Sequence, residues 1–148
     1  MPHTLTELIM GTSPTVIDET RAFWEGTLLE QLRIQQCASC GHRQLPGGPC
    51  CRECLSQVLE WHAASGRGRV FSFTVVRHAF HPSFVTSVPY VLADVELEEG
   101  PIVTSNVTDA LVETVHIGMP VHVWFDDEIE DAFHVKVRLP KFRPAEES

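Results

Sequence analysis

Hydrophobic and polar positions change period along the chain, and the changes divide it into three stretches. Between residues 13 and 29, Ile17, Phe23, Trp24 and Leu28 recur at roughly helical spacing, the apolar stripe of an amphipathic helix. Ser13-Pro14 reads as its start, with Ser as cap and Pro at the first position, and Asp18 is a rival start. Phe23 and Trp24 are expected to pack in a core rather than to form a ligand platform. The residues before Ser13 show weak periodicity and read as an arm. From Leu32 the period shortens to two: Leu32-Arg33-Ile34-Gln35-Gln36 alternates straight into Cys37, as a strand does. Residues 44–46 suit a return strand and 58–61 a third short one. Ala63-Ala64-Ser65-Gly66-Arg67-Gly68 is a glycine-rich joint.

Beyond the joint the pattern is nearly all β. Strands are expected over 69–78, 90–97, 102–107, 121–125 and 133–139. Turns fall at 98–101 and 117–120, and a short helical or irregular crossover begins at 109–112. Five short strands between turn signals predict a small Greek-key barrel, with an OB-fold as the natural candidate. The fold class is therefore mainly β: an N-terminal helix, then, by the cysteine spacing described below, a zinc ribbon, and a five-stranded OB-fold barrel; the resemblance given below implies that the ribbon is rubredoxin-like. The expected organisation is arm and helix over 1–30, ribbon over 31–64, and barrel with a C-terminal tail over 65–148.

The ribbon is predicted by its cysteines. Cys37-Ala-Ser-Cys40 and Cys51-Arg-Glu-Cys54 form the pattern C-x2-C-x10-C-x2-C. Two tight knuckles at this spacing put four thiolates at the corners of a tetrahedron, a closed geometry that structural Zn2+ accepts. Gly41-His42 and Pro46-Gly47-Gly48-Pro49 supply the reversals between them. A disulfide framework is disfavoured because Met1-Pro2-His3-Thr4 leads into no signal-peptide pattern. A thioredoxin-type pair would need a βαβ context, and a c-type haem site a His after the second Cys, where Gly41 and Leu55 stand. Iron is chemically possible at such a site. Cys50 could replace Cys51 at the cost of regular spacing, and His42 is an alternative ligand, although a loop histidine is the plainer reading. A four-thiolate shell leaves no open position for catalysis.

Charge narrows the function classes. The chain has 148 residues, a net charge of −9 and two lysines, Lys136 and Lys141. That argues against generic nucleic-acid binding, which draws on clustered Lys and Arg. No apolar run approaches the ~18 residues of a membrane span. Reduced-looking cysteines lead to an expected cytoplasmic location.

Catalytic chemistry appears only in fragments. Arg77-His78-Ala79-Phe80-His81-Pro82 holds two histidines and an arginine, but no paired carboxylate or nucleophile accompanies them. The plainer reading is a polar loop. His116, His122 and His134 read as surface residues, and Cys50 as a spare thiol. The acidic run from Asp126 to Asp131 lacks the Gly and closing Glu of a calcium loop and reads as a solvated hairpin tip. Arg67 and Arg69 flank Gly68, Lys136 and Arg138 share a face of the last expected strand, and Lys141 and Arg143 continue into the tail. A ribbon–barrel groove rimmed by Arg67, Arg69 and Arg77 could receive the phosphates of CoA, since the arginine fork binds phosphate bidentately. Surface ion pairing accounts for the same residues equally well.

Several motifs together resemble the DUF35 family. They are Phe23-Trp24-Glu25-Gly26, the run Leu32 to Cys37, both C-x-x-C pairs, Ala64-Ser65-Gly66-Arg67-Gly68 and Pro89-Tyr90. Val95-Glu96-Leu97-Glu98-Glu99-Gly100, Ile117-Gly118-Met119-Pro120-Val121 and Leu139-Pro140-Lys141-Phe142-Arg143-Pro144 complete the set. The resemblance implies N-terminal helices, a zinc ribbon liganded by Cys37, Cys40, Cys51 and Cys54, and an OB-fold. It also implies partnership with thiolase-like or lipid-transfer-protein-type subunits acting on acyl-CoA thioesters, by acyl transfer, condensation or retro-aldol cleavage of steroid side chains. It marks no catalytic side chain here. Three functions follow: an accessory subunit completed by a thiolase-like partner, with acyl-CoA at the shared interface; a single-strand nucleic-acid module; and an enzyme built on His78 and His81. The first is the expectation. Phe80, Phe84 and Trp124 are its candidate contact aromatics.

Overall fold

The computed structural model describes residues 18–79, 88–130 and 134–145. A 3-10 turn, Asp18–Thr20, runs into helix α1, Arg21–Leu28. The helix thus starts from the Asp18 side, where the carboxylate accepts a hydrogen bond from the Arg21 guanidinium at 3.1 Å; Ser13 and Pro14 lie outside the described residues. α1 buries Phe23, Trp24, Gly26 and Thr27. Its two aromatic rings meet edge to face, with centroids 5.0 Å apart, so the pair is core and no platform. The helix ends where the Leu29 and Gln31 N–H groups both donate to the Gly26 carbonyl, at 3.0 and 2.8 Å. Glu30, at φ 57°, turns the chain back.

The ribbon has three antiparallel strands in the order β2-β1-β3. β1 is Arg33–Cys37, β2 is Arg43–Gln44 and β3 is Leu59–Ala63. Gln35 sits opposite both Gln44 and Trp61, so β1 is the central strand and delivers Cys37 at its end. The joint follows β3. The Ala64 N–H donates to the Leu32 carbonyl at 2.7 Å. Gly66 then takes φ +84° with its backbone pressed on the barrel wall: a Cβ here would lie 2.6 Å from Val123 Cγ1. Only glycine meets both conditions without strain.

The remaining strands are β4 (Arg67–Val76), β5 (Tyr90–Leu97), β6 (Ile102–Val107), β7 (Pro120–Phe125), β8 (Ile129–Glu130), β9 (Lys136–Val137) and β10 (Pro140–Pro144). Five of them close a barrel in the order β10-β6-β5-β4-β7. All neighbours are antiparallel except β6 and β10. Counted along the barrel, strands one, two, three, five and four follow each other: the OB-fold. β4 serves two partners by bending. Its register shifts between Val70 and Ser72, as a bulge does. Strand alternation fills the barrel: Val91, Ala93, Val95 and Leu97 of β5 and Val103 and Val107 of β6 all point inward and are buried. Ser105 shares that face and donates its hydroxyl to the Pro140 carbonyl at 2.7 Å.

The structure corrects the fifth strand. The expected segment 133–139 does not close the barrel; its described part contributes only β9, which pairs with β8 in a separate two-stranded sheet. The closing strand is Pro140–Pro144, read from sequence as tail. Proline is tolerated at the first position of a strand because its missing N–H is not needed there. From that start Pro140 and Phe142 alternate inward, with Phe142 fully buried. Val137 of β9 is also buried. It packs towards α1, and Thr27 fixes the contact by accepting from the Arg138 N–H at 3.1 Å while donating to the Trp24 carbonyl at 2.6 Å. One hydrophobic core therefore runs from Phe23, Trp24, Leu32 and Ile34 into the barrel valines.

Candidate functional site

The two cysteine knuckles are built alike. In the first, the Gly41 N–H donates to the Cys37 carbonyl at 2.9 Å and the Cys37 N–H to the His42 carbonyl at 2.8 Å. In the second, Leu55 donates to Cys51 and Cys51 to Ser56 at the same two distances. Both knuckles need a left-handed residue after the second cysteine. Gly41 supplies it at φ 80°, and Leu55 supplies it at φ 65° despite its side chain. Backbone N–H groups point at sulfur in each: Cys40 N to Cys37 Sγ at 3.5 Å and Glu53 N to Cys51 Sγ at 3.4 Å.

The knuckles bring the Sγ atoms of Cys37, Cys40, Cys51 and Cys54 within 4.8 Å of one another. Cys37 and Cys54 are 3.5 Å apart, and Cys40 and Cys51 3.6 Å. A tetrahedral zinc with Zn–S bonds of ~2.3 Å would set these edges at roughly 3.8 Å. The donor set and its spacing fit a tetrahedral thiolate-loving metal. Cys37 and Cys51 are buried beneath it and Cys40 and Cys54 face solvent. Electrostatics agree. The Cys40 N–H holds the Cys37 thiol down to about 6, against the opposing effect of burial. The His42 N–H pulls Cys40 down, but burial and the three neighbouring sulfurs outweigh it and push that thiol up to about 12. Cys54 is also raised: the Ser56 N–H lowers it, and Cys37, burial and Cys51 together prevail. Four thiols this close ionise together only around a cation. Among the described residues this is the one such group of three or more metal-ligating side chains. His42 and Cys50 are not in it. His42 contributes its carbonyl to the first knuckle, and the Cys50 carbonyl accepts from Gln44 Nε2 at 3.3 Å.

The three arginines expected at one groove are not brought together. Arg67 and Arg69 stand at the start of β4, where Arg67 pairs with Glu98 at 3.3 Å and Arg69 donates to the Gly118 carbonyl at 3.0 Å. Arg77 follows the far end of the same ten-residue strand. Strand geometry separates them, because an extended chain advances ~3.3 Å per residue. His78 is exposed beyond the end of β4; His81, Phe80 and Phe84 lie outside the described residues. Lys136 pairs with Glu128 at 4.0 Å and Arg138 with Glu30 at 3.7 Å.

A groove does exist where ribbon and barrel meet. It has a volume of about 370 Å³ and lies between residues 30–32 and 63–65 on one side and residues 122–125 with Arg143 on the other. Barrel register sets its floor. His122 is opposite Arg67 on one neighbouring strand and Arg143 on the other, and Trp124 is opposite Lys141. Trp124 is half-buried; its Nε1–H donates to Thr108 Oγ1 at 2.8 Å, and Lys141 Nζ and the Arg143 guanidinium lie 5.9 and 5.8 Å from its ring centroid. Sequence reasoning missed this row. Its members come from three strands, and only the register places them side by side.

A rubredoxin-like four-cysteine ribbon joined to an OB-fold barrel defines the class of protein. Family models described as the rubredoxin-like zinc ribbon domain of ChsH2 and the C-terminal OB-fold domain of ChsH2 match residues 24–60 and 61–126. A DUF35 domain-containing scaffold protein of Methanocaldococcus jannaschii is 34% identical over 75% of this chain and 79% of its own. The chain belongs to the DUF35 family. It is also 39% identical to a probable enoyl-CoA hydratase alpha subunit of Thermomonospora curvata, over 87% of this chain and 39% of the relative. A 3-oxo-4,17-pregnadiene-20-carboxyl-CoA hydratase alpha subunit of Mycobacterium tuberculosis is 40% identical over 77% of this chain and 36% of its own. The chain thus spans well under half the length of both alpha subunits. Among solved structures, a chain of the Ltp2-ChsH2(DUF35) aldolase aligns with TM-score 0.74 and 36% identity, covering 90% of this chain and 99% of that one. No helix among the described residues is long and apolar enough to cross a membrane.

Proposed function

We propose that this protein is a non-catalytic accessory subunit of a thiolase-superfamily enzyme of the lipid-transfer-protein type, acting on acyl-CoA thioesters. Retro-aldol cleavage of a steroid side-chain acyl-CoA, or acyl transfer, is the reaction class. One observation carries the reading: the likeness to a chain of the Ltp2-ChsH2(DUF35) aldolase extends over nearly the whole of that chain. The hydratase alpha subunits, named for CoA thioester substrates, support the same substrate class.

In this reading Cys37, Cys40, Cys51 and Cys54 hold a structural Zn2+. When bound, the ion supplies four metal–thiolate links between two knuckles that share little apolar surface. The protein works in the cytoplasm, as a ribbon over 31–64 and a barrel over 65–148.

The test is purification of the tagged protein from its native cells, followed by assay of the chain with and without what accompanies it. The expected result is a stoichiometric thiolase-like subunit, with acyl-CoA turnover in the complex and none in the chain alone. Robust turnover by the chain alone would sink the reading, and so would a homo-oligomer free of any partner.

A further inference from the structure

We propose that the tip of the zinc ribbon is a docking knob: Leu55 and Val58 enter an apolar socket of the partner subunit, and a Lys or Arg at the rim of that socket faces the thiolates of Cys40 and Cys54. The partner's identity rests on the accessory-subunit reading above; the knob rests on the geometry of this chain. The two knuckles close the same turn, with an N–H to carbonyl distance of 2.9 Å in each, but they differ at its left-handed residue. The first has Gly41 at φ 80° and the second has Leu55 at φ 65°. Glycine takes this backbone freely, whereas a leucine Cβ crowds the following carbonyl.

The free chain gains little in return. Leu55 is 72% exposed, so its side chain packs against almost nothing. Leu111 is exposed to the same extent, but it sits in relaxed extended backbone at φ −65° and ψ 134°, and a lone exposed leucine is ordinary. Leu55 combines exposure with strain, and its burial by a partner would return what the strain costs. Its neighbours make a surface of it. The carbonyl of Val58, itself 60% exposed, accepts the Ala38 N–H at 3.0 Å, which holds it against the first knuckle. The Ser39 hydroxyl donates to that of Ser56 at 3.1 Å and ties the knuckles together.

Charge selects the occupant. Residues 37–41 and 54–59 hold no Asp, Glu, Lys, Arg or His, in a chain of which 21% is charged. The charge at the tip is that of the metal site: four thiolates around a divalent ion leave two negative charges, and Cys40 and Cys54 face solvent. An apolar socket edged by a cation complements both features. A second copy of this chain does not, since tip-to-tip contact would oppose two such centres in molecules of net charge −9. The tip is also remote from the joint. The Ala64 N–H binds Leu32 at one end of β1, and Cys37 stands at the other, roughly 17 Å along an extended strand.

The test uses the intact zinc-loaded chain and the thiolase-like subunit that purifies with it, with the affinity of the complex read by biolayer interferometry and that for zinc by competition with a chelator. Leu55→Gly, and Leu55→Asn, which also tolerates left-handed backbone, should each weaken the complex by about tenfold or more, the scale of burying one aliphatic side chain. Zinc affinity should hold or rise in both. Leu55→Met should bind as the native chain does, and Leu111→Asn should leave the complex unchanged. Val58→Lys should weaken it more than Val58→Glu, which reads the sign of the facing charge. An affinity that ignores Leu55→Asn overturns the proposal. So does a parallel loss of zinc affinity, which would make Leu55 a residue of the fold, and so does the reverse order at Val58. Self-association of the free chain that Leu55→Asn abolishes would overturn it too, by assigning the knob to a second copy. The two readings separate: a chain that purifies without a partner removes the subunit role and the socket with it, and a complex indifferent to Leu55→Asn removes the knob alone.

Discussion

The ribbon and the barrel stand next to each other and are stabilised in opposite ways. The barrel buries its own core: Val70, Val91, Val95, Val103, Val121 and Phe142 are almost fully inaccessible, and each strand hydrogen-bonds to two neighbours. The ribbon has strands of five, two and five residues, and two of its buried side chains, Gln35 and Gln44, are polar. Gln44 works as a strut, accepting from the Arg52 N–H at 2.9 Å while donating to the Cys50 carbonyl. Leu32 and Ile34 join the barrel's core, but the knuckle end of the ribbon buries too little apolar surface to offset the entropy of ordering it. The four sulfurs must supply the difference through a metal, whose binding free energy in such modules is ~10–16 kcal/mol. The difference teaches that the barrel's shape is written in its alternation and the ribbon's in its chemistry.

The largest effect should come from Cys51→Ser, which removes a fully buried ligand. Zinc should be lost and the ribbon amides should collapse in an NMR spectrum while those of β5 and β6 persist. Collapse of both halves would mean that the barrel is not independent. Zinc entry itself should release at least two protons at pH 7, from Cys40 and Cys54, both raised above the ordinary 9.0. Calorimetry in buffers of different ionisation enthalpy reads that number, and it should fall at alkaline pH once the raised thiols ionise unaided. Phe142→Ala should cost ~3–5 kcal/mol in urea denaturation, with zinc content unchanged. Gly66→Ala, which places a methyl 2.6 Å from Val123 Cγ1 at a φ of +84°, should cost ~1–3 kcal/mol and disturb both halves at their joint.

The smallest effect concerns Asp126. Burial raises its carboxyl, but the Lys141 ammonium and the Asp127 N–H outweigh it and hold the group below the ordinary 3.8. The pair therefore stabilises the barrel above that pH and ceases to do so as pH falls through the lowered value. Asp126→Asn should remove that portion of the acid sensitivity, worth under ~1 kcal/mol after solvent screening. Barrel unfolding curves at pH 7 and pH 2.5 would show it.

The metal cluster was legible because C-x-x-C fixes its own local geometry: both knuckles close through hydrogen bonds among near neighbours. Four barrel strands were legible for a similar reason, since Val91-Leu92-Ala93-Asp94-Val95 declares which side faces in. The fifth was not. Val135 and Val137 alternate as a strand should, and two prolines disguise β10. What decides between them is the wall left open between β6 and β7, which no local window contains. The groove was illegible on the same ground. His122 reads as a surface residue until register sets it between Arg67 and Arg143, and Arg77 reads as their companion until the length of β4 carries it away.

The parallel pairing of β10 with β6 has a consequence for how the protein is made. β4 to β7 can pair among themselves as they are made, but the wall between β6 and β7 stays open until residue 144 has left the ribosome. Until then β6 and β7 present bare edges, each able to recruit a strand from another nascent chain. The prolines at both ends of β10, which hid it from view, also shorten the stretch that could pair wrongly. The last strand of the barrel is its lock, and it is cut to fit one slot.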